Sequence, residues 1–144
     1  MCSSDLEPAR RAVRDLLDEA APGGRFPADW ARRMAAAGYV APHWPAPWGR
    51  GAGPAEQLAI DEELRRAGAP RPMNPIGIGW AGPTLLVAGT PEQHERWLPG
   101  ILDGSELWCQ LFSEPGAGSD LASLRTTAVR DGDEFVVKIG RAHV

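Results

Sequence analysis

Lysine is nearly absent from this chain of 144 residues, tyrosine occurs once, cysteine twice and histidine three times. Its fifteen basic residues, mostly arginine, are interleaved with nineteen acidic ones for a formal charge of −4. That leaves no basic stripe to track a phosphate backbone, which argues against nucleic acid as the main partner. Apolar runs end after about five residues, as in "TLLVAG", far short of the roughly 20 needed to cross a bilayer. No membrane span is expected. The first twenty residues are charged and contain no apolar segment followed by a small-residue cleavage site, so a secretory signal is not expected and a cytoplasmic location is. His43 and His94 have no spacing that suggests a metal site, and His143 falls in an end set aside below. What remains, at 43% hydrophobic and 24% charged residues, is the composition of an ordinary globular domain, with room for part of a second.

The two ends read as non-native. "CSSDL" can be encoded TGC TCT TCC GAT CTN, and the reverse complement of that string reads Lys, Glu or Gln followed by "IGRA". The chain ends in "KIGRAHV". The termini thus look like two strands of one short adapter flanking a gene fragment, and residues 1–6 and 138–144 are set aside from fold reasoning. Cys2 goes with them. Cys109 is then alone, with no internal disulfide available, and reads as a small core residue.

The interior begins with helices. "EPARRAVRDLLDEAAPGG" puts Val13, Leu16, Leu17 and Ala20 on one face and stops at Pro-Gly-Gly. "FPADWARRMAAAGY" is expected to start with Pro27 in its first turn, to line up Trp30, Met34 and Ala37, and to stop at Gly38. A third helix starts near Pro54 and is expected to turn Leu58 and Leu64 inward and "DEELRR" outward as a solvated face. Its adjacent Asp61, Glu62 and Glu63 point in different directions and are not a catalytic pair. A fourth follows Asn74-Pro75, where asparagine caps and proline enters, and runs to Gly89. Gly77, Gly79 and Gly82 within it each cost about 1 kcal/mol against alanine, so close packing or a broken start is expected there. A fifth reads "TPEQHERWLPGIL", capped by Thr90, with Pro99-Gly100 perturbing its end.

From about Leu107 the apolar period shortens. "LWCQLF", "LRTTAVR" and "EFVV" are strand candidates, the last two joined by "DGD" as a hairpin. Between them lies "SEPGAGSD". Pro115 fixes one φ, and Gly116 and Gly118 permit positive φ, so backbone amides could converge on an anion, with the hydroxyls of Ser113 and Ser119 beside them. The alternative is a tight turn followed by a Ser119-Asp120 cap on a short helical "LASL". Neither the Walker pattern nor the dinucleotide fingerprint is present.

"WCQLFSEPGAGSDLASLRTTAVRDGDEFVV" resembles the signature at the junction of the helical and β domains in the acyl-CoA dehydrogenase family. The resemblance extends back through "GTPEQHERWLPGILDGSELW" and "DEELRRAGAP" to "AAAGYVAPHWPAPWGRGAG", covering residues 7–137. "PWGRGAG" departs from it where many members have a Gly-Gly pair. The resemblance implies a mainly α fold: an N-terminal helical bundle over residues 7–104, followed at 105–137 by the truncated start of a middle β-barrel-like domain.

It further implies a flavoprotein that dehydrogenates an acyl-CoA thioester between its α and β carbons, with FAD as hydride acceptor and an electron-transfer flavoprotein as partner. The parent would be a homo-oligomer, dimer or tetramer, and the isolated fragment inactive. By the same resemblance Gln110, Leu111, Phe112, Ser113, Gly118 and Ser119 would contact FAD, and Ser119 the CoA portion of the substrate as well. No catalytic residue is assigned, because the family draws its carboxylate base from a C-terminal domain; Glu114 reads as part of the loop architecture. A flavin monooxygenase or acyl-CoA oxidase of the same superfamily would share this half, and a helical interaction module without catalysis is the reading from another class.

Overall fold

The computed structural model describes residues 3–111 and 113–139. The chain divides into two compact units, Met1–Trp108 and Cys109–Val144. The first holds five α-helices among its described residues: α1 (Glu7–Ala20), α2 (Trp30–Ala36), α3 (Pro54–Arg66), α4 (Gly82–Ala88) and α5 (Pro91–Asp103). α1 packs on α3, and α5 packs on both α2 and α4. Their common core contains Val13, Trp30, Met34, Trp44, Ile60, Leu64, Leu98 and Ile101, all buried. Burying one such side chain contributes about 1.5–3 kcal/mol.

In α1 the apolar spacing does what it predicts: Val13 and Ala20 are buried, with Leu16 and Leu17 packed at the edge of the core. α2 starts later than its sequence implies. Pro27 opens a turn instead of the helix, because its carbonyl accepts the Trp30 N–H at 3.0 Å, and the first helical bond runs from Arg33 N–H to the Asp29 carbonyl at 3.1 Å. The end is as expected. Gly38, at a φ of 74°, lets its own N–H reach the Ala35 carbonyl and the Tyr39 N–H reach the Met34 carbonyl, and this pair of bonds satisfies the last turn.

α3 corrects the expected inward face. Leu58 is 70% exposed, while Ala59, Ile60, Glu63 and Leu64 are buried. Leu58 and Leu64 are six residues apart and so lie about 120° apart around the axis. Ile60 and Leu64, four apart, share a face, and Glu63 beside them is carried inward with it. The "DEELRR" stretch is therefore not simply a solvated face. A carboxylate at that depth needs cationic partners, and Glu63 accepts from Arg10 of α1 at 2.9 Å and from Arg66 at 3.1 Å. Glu62 accepts from the same two arginines at 2.6 and 2.8 Å. The Arg10 hydrogen bond holds the Glu62 carboxyl below the usual carboxylate range, and hydrogen bonds from Arg10 to Glu63 and Glu62 hold that guanidinium above its ordinary value.

The buried side chain of Asn74 ties three segments together. Its Nδ2 donates to the Ile101 carbonyl at 3.0 Å and the Glu106 carbonyl at 2.9 Å; its Oδ1 accepts from the Gly77 N–H at 3.3 Å and the Trp108 N–H at 3.1 Å. Asparagine caps here as expected, and it also grips the end of α5 and the chain beyond it. Gly77 has to be glycine, because a Cβ would sit 2.4 Å from Asn74 Nδ2. The start of the fourth helix is broken, as its glycines imply: Gly77–Ala81 form a π-helical turn, whose wider winding accommodates Pro83 where an α-turn would drive the ring against the carbonyl four residues back. Gly82 then meets the Trp44 ring so closely that a Cβ would lie 2.1 Å from it.

α5 opens with a full capping box between Thr90 and Gln93. Pro99-Gly100 does not perturb its end: the helix continues to Asp103 and stops at Gly104, at a φ of 76°. Gly100 serves close approach instead, since a Cβ there would stand 2.9 Å from Glu106 Cγ, while the Glu106 N–H donates to the Gly100 carbonyl at 3.0 Å.

In the second unit β1 (Thr127–Asp131) pairs antiparallel with β2 (Glu134–Lys138), Val129 opposite Val136 and Asp131 opposite Glu134. The two-residue loop has Gly132 at a φ of 63°, the conformation that a hairpin turn of this length requires. The expected hairpin is present. Both faces are exposed, Phe135 and Val129 included.

Replacing Asn74 with Ala strands two carbonyls and two amide donors, each worth about 1–3 kcal/mol when left unsatisfied in the interior; with partial relaxation, urea unfolding should show a loss of about 3 kcal/mol or more. The ion lattice predicts a pH dependence. Because the Glu62 carboxyl titrates below its unfolded value, its contribution is complete above the ordinary carboxylate range and disappears as pH falls through the folded-state value. Thermal unfolding from neutral to acid pH should therefore fall more steeply for the native chain than for Glu62→Gln.

Candidate functional site

Beyond Trp108, whose N–H is held by Asn74, residues 109–111 run without a strand partner. The expected strand "LWCQLF" is not formed at its described residues, since pairing among the described residues of this unit is confined to the hairpin and one isolated bridge. Gln110 is half-buried, Leu111 and Cys109 are exposed, and Phe112 lies outside the described residues.

Ser113, Gly118 and Ser119, all exposed, come together on one short loop. Its tip is the Pro115-Gly116 turn, closed by reciprocal bonds between Glu114 and Ala117: N–H to carbonyl at 2.9 Å one way and 3.0 Å the other. This miniature hairpin overturns the expected anion cradle in its simplest form. Neither Gly116 nor Gly118 adopts positive φ, and the Ala117 N–H is spent on the Glu114 carbonyl, so the amides do not converge on one point. Ala117 itself is buried.

After the tip the chain makes a single 3-10 turn at Leu121–Ser123. Asp120 accepts the Ser123 N–H on its carbonyl at 3.3 Å and the Ser123 hydroxyl on its carboxylate at 2.5 Å. The helical "LASL" is thus present as a single turn, without the expected side-chain cap, since the Asp120 carboxylate takes the Ser123 hydroxyl and not a backbone amide. The Glu114 carboxylate reaches across to the far side of the loop, where Oε2 accepts the Arg125 N–H at 2.9 Å and Oε1 accepts the Thr126 N–H at 2.8 Å and the Thr126 hydroxyl at 2.6 Å. A carboxylate so engaged is an architectural group, as the loop reading of Glu114 expects. Its partners were not legible: twelve residues separate Glu114 from Thr126, and no periodicity links them.

Among the described residues no group of three or more His, Cys, Asp or Glu is placed to hold a metal ion, and no helix is long and apolar enough to cross a membrane. The loop offers hydroxyls and amide donors, a set suited to the polar edge of a heterocycle or to phosphate oxygens.

Known proteins share this sequence and this arrangement of helices. Residues 6–105 match the model of the acyl-CoA dehydrogenase N-terminal domain. The chain is 66% identical over 97 residues to the acyl-CoA dehydrogenase FadE34 of Mycobacterium tuberculosis, a match covering 67% of this chain and 14% of that protein. It is 52% identical over 109 residues to the acyl-CoA dehydrogenase IpdE1 of the same organism, covering 75% and 28%. Among solved structures, the ChsE4–ChsE5 complex from Mycobacterium tuberculosis superimposes with a TM-score of 0.62 at 36% identity, over 95% of this chain and 37% of that one. This chain belongs to the acyl-CoA dehydrogenase family, of which it carries the N-terminal helical domain and the start of the next. Its matched part spans less than a third of either curated relative.

Gly116 and Gly118 sit at ordinary φ, with nothing within 4 Å of the place a Cβ would occupy. Alanine at either site should therefore leave the denaturation midpoint unchanged or raise stability by up to about 1 kcal/mol; a clear loss would mean that the glycines are conformationally required.

Proposed function

We propose that this chain is the N-terminal part of an FAD-dependent acyl-CoA dehydrogenase, an oxidoreductase acting on the α,β carbon pair of an acyl-CoA thioester in fatty acid or related lipid metabolism. The observation that carries the reading is the family match over residues 6–105, continued by the loop with Ser113 and Ser119 exposed on it. Bound FAD supplies the hydride acceptor. The chain's donors fit it in kind: Gln110, Leu111, Phe112 and Ser113 would lie along the ring system, with the Ser113 hydroxyl donating to a ring carbonyl or nitrogen. Gly118 and Ser119 would face the nucleotide phosphates, and Ser119 the CoA portion of the substrate too. With positive φ absent at the glycines, phosphate recognition here rests on hydroxyls and individual amides instead of a converging nest.

Glu114 is not offered as the base, being engaged with three donors; α-proton removal falls to a carboxylate outside this chain. An electron-transfer flavoprotein as electron acceptor, a homo-oligomeric parent and a cytoplasmic location complete the proposal. The ChsE4–ChsE5 relative assembles from two differently named chains, so light scattering of the full-length protein, alone and with co-expressed paralogues, addresses assembly.

The full-length protein should purify with flavin and reduce it on addition of an acyl-CoA, while residues 1–144 alone should turn over none. Ser113→Ala and Ser119→Ala should each weaken FAD binding about threefold to tenfold, the loss of one hydrogen bond, measured by titrating the apoprotein. Absence of flavin from the full-length protein would favour a non-catalytic helical module. Reoxidation by oxygen at the catalytic rate would place it with the oxidases or monooxygenases.

A further inference from the structure

The acid of the loop has a use that neither the family match nor the proposed chemistry assigns. Glu114 stands at the neck of a loop that leaves at Ser113 and returns at Thr126, immediately before β1. Its backbone is committed on one side, through both bonds to Ala117. Its carboxylate is committed on the other, taking the amides of two consecutive residues, Arg125 and Thr126, on separate oxygens, with the Thr126 hydroxyl as third donor. One residue therefore shapes the tip and closes the base.

We infer that Glu114 is a positioning residue: its carboxylate clamps the 114–126 loop shut and so presents Ser113, Gly118 and Ser119 in one arrangement before any ligand arrives. The inference rests on the flavin reading for what is presented, but not for the clamp itself. Hydrogen bonds to an ionised acceptor are stronger than neutral ones, and they act here against the closure entropy of a loop of about a dozen residues. An open loop would have to be ordered at the moment of binding, and that cost appears directly as lost affinity.

The chemistry requires an acid. Both carboxylate oxygens accept, whereas glutamine would turn an amide NH2 toward one of the backbone N–H donors, and aspartate is one methylene too short to span the neck without drawing its sides together. The β1–β2 ladder begins only at Thr127, where the partner is Lys138, so at residues 125–126 it is the Glu114 side chain that carries the closure.

The test uses the full-length protein with Glu114→Gln and Glu114→Ala. In the apoprotein, hydrogen exchange at the Arg125 and Thr126 amides should quicken about tenfold or more, and limited proteolysis between Pro115 and Ser123 should accelerate. FAD Kd should rise about threefold to tenfold for glutamine and about tenfold or more for alanine, with the loss concentrated in Kd and smaller in kcat at saturating FAD. Glu114→Asp should recover part of the exchange protection. Unchanged exchange and unchanged Kd overturn the inference. A fall in kcat of about a hundredfold with Kd and exchange intact also overturns it, in favour of a direct acid–base role. Faster exchange in variants of a wild-type protein that holds no flavin leaves the clamp standing and overturns the flavin reading alone.

Discussion

A single buried amide organises the end of the helical unit. Asn74 supplies two donors and two acceptor lone pairs, and all four are used: on the first turn of the fourth helical segment, on the last turn of α5, and on the chain at Glu106 and Trp108. Because every one of those partners is main chain, the side chain fixes backbone paths irrespective of which residues follow. An apolar residue of the same size would leave two amides and two carbonyls, at buried or partly buried positions, without that partner, which is why polarity persists here inside a hydrophobic core.

Around this node the packing works by close approach. Gly77 lies against the Asn74 amide, Gly82 against the Trp44 ring and Gly100 against Glu106, each too near for a methyl group. Elsewhere the contact is electrostatic: Arg10 of α1 and Arg66 of α3 share the carboxylates of Glu62 and Glu63, one of them drawn inside the stripe that α3 buries. The helices are thus joined by directional bonds as well as by apolar area, and directional bonds specify register.

The proposed site lies where regular structure stops. The helical unit delivers the chain to Trp108 with its N–H already held, and the next unit places its exposed serines on a loop whose neck is held by Glu114. Two polar side chains, one amide and one carboxylate, thus hold the backbone on either side of the stretch proposed to receive the flavin. A loop already closed by its own side chains loses less conformational freedom when it binds a ligand.

Much of this was written in local sequence. The face of α1, the glycine stop after α2, the Thr90 capping box and the Gly132 turn each depend on residues within one or two turns of one another, and each is found. The family resemblance, carried by several ordered motifs, was legible for the same reason, and the domain match agrees with it. The tertiary structure decided what depends on distant partners. It buried Glu63 while exposing Leu58, with Arg10 from another helix and Arg66 from the same one holding the carboxylate; it carried α5 through Pro99-Gly100 to Asp103, with Glu106 packed onto that glycine. It left the described residues of "LWCQLF" outside any strand, and it closed the Pro115-Gly116 turn through Glu114 and Ala117, with neither Gly116 nor Gly118 at positive φ. Propensity acts over a few residues, whereas these outcomes were set by hydrogen bonds and contacts formed between positions that only the folded chain brings together.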